Sequence, residues 1–158
     1  MDEKTETGCC PRFNPEPWDE KEVSLTERLF LMDHVWCFLH IPLNMNKIMR
    51  KNMELIGTAD ALASEPLMLY DARSPWRADV YIAVSKDVPG GEMTKISGTF
   101  LTKVFEGPYK DCRKWAQEME NYVKSKGRGL EKLYFFYTTC PKCAEAYGEN
   151  YTVILAKV

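Results

Sequence analysis

The chain has 158 residues, 45% hydrophobic and 28% charged, with 21 Lys and Arg against 23 Asp and Glu for a formal net charge of -2. That length and mix predict one soluble globular domain with a real core, and the even charge balance excludes a basic surface for a phosphate backbone. The polar start MDEKTETG has no apolar leader, and no later run approaches the ~20 apolar residues that cross a bilayer.

A cytoplasmic protein without a nucleic-acid or membrane partner is therefore expected, monomeric or a homodimer, with its six cysteines kept reduced. Residues 1–22 mix Cys9, Cys10, Pro11, Pro15 and Pro17 with many charges and read as an irregular arm. Phe13 and Trp18 can pin that arm to a single domain spanning 23–158. Val23 and Leu25 alternate with polar neighbours, and Leu29 to Ile41 (LFLMDHVWCFLHI) should contain a strand ending at Pro42. Asn44 then caps a helix with Met45, Ile48, Met49, Met53 and Ile56 inward and Lys47, Arg50, Lys51 and Glu54 outward, until Gly57 weakens it. Pro66 to Tyr70 reads as a short strand. Asp79 to Ser85 (DVYIAVS) is a better one, with Val80, Ile82 and Val84 on one side and Tyr81 and Ala83 on the other. Pro89-Gly90-Gly91 makes a turn.

Ser97 to Gly127 is the best-punctuated stretch. Phe100 to Phe105 is β-branched and aromatic, and Gly107-Pro108 stops that strand. Cys112, Trp115, Ala116, Met119, Tyr122 and Val123 then recur at the spacing of one apolar helix face, opposite Arg113, Lys114, Gln117, Glu120, Asn121 and Lys124. Asp111 is placed to cap this helix, and Gly127 and Gly129 to end it. Leu133 to Thr139 (LYFFYTT) and Tyr151 to Val158 (YTVILAKV) close the chain as strands around a loop with Cys140 and Cys143.

The order strand, helix, strand, strand occurs twice, which points to an internal duplication. A gapless match of Trp36–Glu54 to Thr102–Glu120 pairs Pro42 with Pro108, Met53 with Met119 and Glu54 with Glu120. The expected fold class is α+β: duplicated strand-helix-strand-strand units forming one mostly antiparallel sheet, with both helices on one face and a ligand cleft between them.

FEGPYKDCRKW (Phe105 to Trp115), followed by YFFYTTCP (Tyr134 to Pro141) and the final YTVILAKV strand, resembles the GyrI-like small-molecule-binding family. The resemblance runs from Val35 to the C-terminus by element order and is most specific in the second half. It implies binding of aromatic, drug-like molecules in the cleft, and one branch implies hydrolysis of cyclopropane-containing alkylating compounds inside an aromatic cage. No DNA-binding helices precede the domain, so a stand-alone xenobiotic binder is expected, for sequestration or protection. This chain departs from the drug-sensing members by having Phe135, not an acid, two places before Tyr137. Glu106 and Glu118 are the nearest substitutes.

The chain carries four Trp, eight Tyr and seven Phe, a load that suits flat apolar guests, since a stacked pair of rings adds ~0.5–1.5 kcal/mol beyond area burial. Most of these rings must still be core. The preferred ligand-binding residues are Phe38, His40, Trp76, Phe100, Trp115, Glu118, Phe135 and Tyr137. If water is activated, Glu118, His40 and Tyr137 are the catalytic candidates, because a carboxylate or imidazole can orient water while a phenol stabilises the leaving oxygen. No G-x-S-x-G elbow is present, and no cofactor is expected. Cys140-Pro-Lys-Cys143 has the spacing of half a zinc site, with Cys9 and Cys10 as the available pair if the N-terminal arm folds back, so a zinc-stabilised interaction module is a third reading beside reduced surface thiols.

Overall fold

The computed structural model describes residues 14–63, 67–138, 145, 148 and 150–158. In chain order the elements are β1 (Lys21–Phe38), β2 (Ile41–Pro42), α1 (Met45–Ala59), β3 (Met68–Ser74), β4 (Arg77–Ala83), β5 (Glu92–Glu106), α2 (Cys112–Ser125), β6 (Lys132–Tyr137) and β7 (Tyr151–Lys157). The result is an α+β fold of two helices with antiparallel strands, as the period analysis predicts. The chain divides into two units, one of Ser24–Gly98 and one of Met1–Val23 with Thr99–Val158.

In the Ser24–Gly98 unit, β4 is central. It runs antiparallel to β1, with Leu31 opposite Ile82 and His34 opposite Asp79, and antiparallel to β3, with Asp71 opposite Asp79. Leu31 and Ile82 pack with Ile56 of α1, and Ala61, Val84 and Val88 complete that core. In the other unit β7 is central, antiparallel to β5 through Leu101 and Ala156 and to β6 through Phe135 and Ile154. Leu101, Phe105, Ile154 and Ala156 pack against Trp115, Met119 and Val123 of α2. Each unit thus repeats one connection: long strand, helix, outer strand, then a last strand inserted between the first and the third.

The buried stripe of α2 is the one its spacing predicts, and that of α1 keeps Ile48, Met49 and Ile56 inward but exchanges Met53 for Asn52. Asn52 and Ile56 are its buried residues, whereas Met53 is 45% exposed. The exchange follows from a hydrogen bond: Asn52 Nδ2 donates to Asp33 Oδ2 on β1 at 2.8 Å, so a polar side chain is drawn inward and the neighbouring methionine is left outside. The gapless repeat consequently mismatches the helices by one residue. Met45 and Cys112 open the two helices 67 positions apart, and at that offset Asn52 lies against Met119 and Ile56 against Val123.

Caps also differ from expectation. Neither Asn44 nor Asp111 makes a side-chain cap bond. Asn44 Oδ1 instead accepts the Trp36 backbone N–H at 2.9 Å, tying α1 to the end of β1. Helix α1 runs through Gly57 and ends at Asp60, whose φ of 52° is left-handed.

The turn from β1 to β2 consists of Leu39 and His40, both at positive φ, 48° and 69°. A two-residue hairpin of that form favours Asn-Gly, and each ordinary side chain there costs about 1 kcal/mol or more. The double substitution Leu39→Asn, His40→Gly is therefore expected to raise unfolding stability by about 1–2 kcal/mol in urea titration. An unchanged or lower midpoint would show that the Leu39 and His40 side chains compensate for their backbone.

Candidate functional site

Alternation along β5 sorts its side chains onto two faces. Phe100 and Thr102 point one way: Phe100 is buried edge-on against Tyr134 at 6.1 Å, and Thr102 Oγ1 donates to the Trp18 carbonyl at 2.6 Å. Trp18 in turn meets Phe136 edge-on at 5.7 Å, so the chain is held here at Trp18, while Phe13 lies outside the described residues. Leu101, Lys103 and Phe105 point the other way, toward α2.

On that second face a ring cluster forms. Phe105 stacks on Trp115 with centroids 5.9 Å apart and planes at 25°, and Phe135 stacks on Tyr137 at 6.2 Å and 16°. The FEGPYKDCRKW segment builds the first pair. Gly107 has φ +143°, and a Cβ there would sit 3.3 Å from Trp115 Cζ2, so glycine lets the chain turn tightly beneath the indole. Trp115 is buried, whereas Phe135, Tyr137 and Tyr122 are only partly so. The Cys112 thiol lies 4.0 Å from the Tyr137 hydroxyl, and burial pushes its pKa up, the opposite of what a nucleophilic thiol needs. Burial also raises the Tyr122 phenol, aided by the negative charges of Glu20 and Asp19.

Lys103 enters this cluster from β5. Its ammonium lies 5.8 Å from the Phe105 ring centroid and 5.2 Å from that of Tyr122, and Lys126 lies 5.5 Å from the same tyrosine. Glu118 is exposed on the outer edge of α2.

The remaining residues expected at a site lie in the Ser24–Gly98 unit. Phe38 and Trp76 meet edge-on at 5.8 Å, both more than half exposed. His40 joins them through its backbone, whose N–H donates to the Pro75 carbonyl at 2.9 Å. The expected residues thus fall into two groups, Trp115, Phe135 and Tyr137 in one unit and Phe38, His40 and Trp76 in the other, with Phe100 in the core and Glu118 on the helix edge.

That unit also holds a charged cluster. The fully buried Asp79 carboxylate has His34 Nδ1 at 2.6 Å, Arg73 at 2.8 Å and Arg77 Nε at 3.6 Å, with Glu92 3.4 Å from His34 Nε2. Burial alone would raise the Asp79 pKa, but hydrogen bonds from His34 and Arg73 outweigh it and the carboxylate stays below its usual value. Nearby, Met32, Asp33, Lys51, Asn52, Gly90, Gly91 and Glu92 line a polar cavity of about 240 Å³. That is smaller than the ~300–1,000 Å³ of sites for drug-sized guests.

Asp79, Asn52 and Lys103 are the polar residues that pattern reading missed. The signal for two of them is their parity: Asp79 shares a face with Tyr81, and Lys103 lies between the apolar Leu101 and Phe105. Cys9, Cys10, Cys140 and Cys143 lie outside the described residues, and no cluster of metal-ligating side chains occurs among the described ones. No described helix is long and apolar enough to cross a membrane.

A family model described as bacterial hydrolase matches residues 1–158. The chain belongs to the bacterial hydrolase family. No curated protein matches it. Among solved structures, the structure of SAV2435 bound to tetraphenylphosphonium aligns with a TM-score of 0.53 at 12% identity, covering 87% of this chain and 92% of that one. At that identity the likeness shows the fold alone: this bacterial hydrolase family member shares the α+β fold of that structure.

Proposed function

We propose that the protein binds aromatic, drug-like small molecules on the ring cluster beneath α2, sequestering xenobiotics. The observation that carries this is the pairing of two ring stacks, Phe105 on Trp115 and Phe135 on Tyr137, on one face of one unit. Partly exposed parallel rings beside a buried indole offer a flat guest both stacking and desolvation. The likeness to a structure that holds tetraphenylphosphonium supports the reading. Saturable low-micromolar binding of fluorescent polyaromatic dyes is expected, and no binding across a varied dye panel would refute it.

A second reading has its own support in the family description. Here the same rings hold a reactive cyclopropane-containing alkylating compound while water opens the ring: the water oxygen bonds one ring carbon, the strained C–C bond breaks, and the water proton ends on the other fragment of that bond. Tyr137, the catalytic candidate that lies in the cluster, would donate to the developing oxygen or carbonyl of the guest. Glu118 would reach it only from the helix edge, and His40 belongs to the other unit. Mass spectrometry of such a compound after incubation decides: a water adduct above the uncatalysed rate, lost in Tyr137→Phe, supports hydrolysis.

A further inference from the structure

We infer that the ring cluster beneath α2 selects aromatic guests that carry a negative charge, with Lys103 as the specificity-determining residue. The inference rests on the binding reading above and names the substrate class of that site. Its basis is that two rings of the cluster, Phe105 and Tyr122, already carry cations from within the chain, and that Lys103 and Phe135 stand on either side of Ile154 in the sheet. Lys103 Nζ lies over both Phe105 and Tyr122, at 5.8 and 5.2 Å, and Lys126 Nζ covers Tyr122 at 5.5 Å. A ring face accepts a cation through its quadrupole, and a second cation brought to the same faces meets a like charge at close range in a partly desolvated setting.

Neither ammonium has a carboxylate partner among the described residues, which distinguishes them from Lys51, Lys124, Arg73, Arg77 and Arg128. The described acids in the neighbourhood stand near these lysines without an ion pair to either of them. Asp19 Oδ1 is engaged by the Val104 backbone N–H at 3.2 Å, Asp19 and Glu20 both raise the Tyr122 phenol, Asp111 lies at the start of α2 near Cys112, and Glu118 is exposed on the outer edge. At the position two before Tyr137 stands Phe135, stacked and uncharged. An aromatic carboxylate, sulfonate or phenolate could therefore lay its ring on Phe135 and Tyr137 and give Lys103 the counter-ion it lacks. The lysine stem is part of the cluster, so its methylenes pack on the guest while the ammonium pairs with the anion.

Tetraphenylborate and tetraphenylphosphonium have the same shape and opposite charge, which makes them the probes. Isothermal titration of the full chain should show tetraphenylborate binding tighter than tetraphenylphosphonium by about tenfold or more, the size of a single close charge interaction. In Lys103→Met, which keeps the stem, that ratio should fall by about tenfold, while a neutral polyaromatic dye binds as before. Three results overturn the inference: a preference of the native chain for the phosphonium ion, equal binding of the two ions, or an anion preference that survives Lys103→Met. If neither ion binds while neutral dyes do, the inference alone fails; if nothing binds at all, the binding reading fails with it.

Discussion

Trp115→Ala should lower the unfolding free energy by about 3–5 kcal/mol, the range found when a buried large aromatic is truncated. The indole is 5% exposed, stacks on Phe105 and lies over Gly107, so its removal opens a hole in the core it shares with Met119 and Val123. Against a typical total of about 5–15 kcal/mol, that loss is a large share of the stability. Denaturant titration should show a lower midpoint with unchanged slope. Because the variant is expected to be marginal, Trp115→Phe is its partner: a smaller ring keeps the stack and should cost less than half as much. Dye binding should be lost in the alanine variant at a temperature where it remains folded, and only weakened in the phenylalanine one. A loss of about 1 kcal/mol or less, the centre of the ordinary mutational range, would mean that the indole does not anchor this core.

The charged cluster around Asp79 predicts an asymmetry. Asp79 is the buried member, with no side-chain exposure, whereas the side chains of Arg73 and Arg77 are 51% and 46% exposed. Removing Asp79 leaves arginines that can turn to water. Removing both arginines leaves a carboxylate in the interior with His34 as its one partner from this cluster. Arg73→Met with Arg77→Met should therefore destabilise the fold, as when a buried charge loses its partners, and Asp79→Asn clearly less. The pH dependence follows from the sign of the shift. Asp79 is held below its ordinary value of 3.8, so its contribution is fully present above that pH and is lost as pH falls through the lower native value. In the double variant the native pKa rises, and the acid loss should begin at higher pH. Equal costs for the two changes, or an acid limb that does not move, would show that the cluster is a solvated surface network.

What could be read from the residues, and what could not, divides by the range of the interactions. The α2 stripe and the FEGPYKDCRKW turn depend on neighbours three and four apart and on one glycine, and both were legible. On α1 one position was not, Asn52 in place of Met53, because the bond that turns Asn52 inward comes from Asp33, 19 positions away, and hydrophobic periodicity scores a methionine above an asparagine. Asp79 was hidden in the same way: His34 is 45 positions distant and becomes its neighbour only through the β1–β4 register. The candidate ring cluster was half legible. Trp115, Phe135 and Tyr137 follow from their places on a helix and a strand, but Phe105 and Tyr122 do not, Phe100 belongs to the opposite face, and Lys103 escapes because a lysine in a strand normally reads as solvent-facing.

The one-residue offset between the two copies has a consequence for anyone who would rebuild this fold from a single repeat. One residue on a helix is a turn of about 100°. A symmetric protein averaged from the gapless match would therefore set Met53 against Met119 and put one of the two copies' outer positions into the other's core. Averaged at the offset of 67 that aligns Met45 with Cys112, the choice at the central position becomes explicit: an asparagine that needs a carboxylate across from it, or a methionine that needs none.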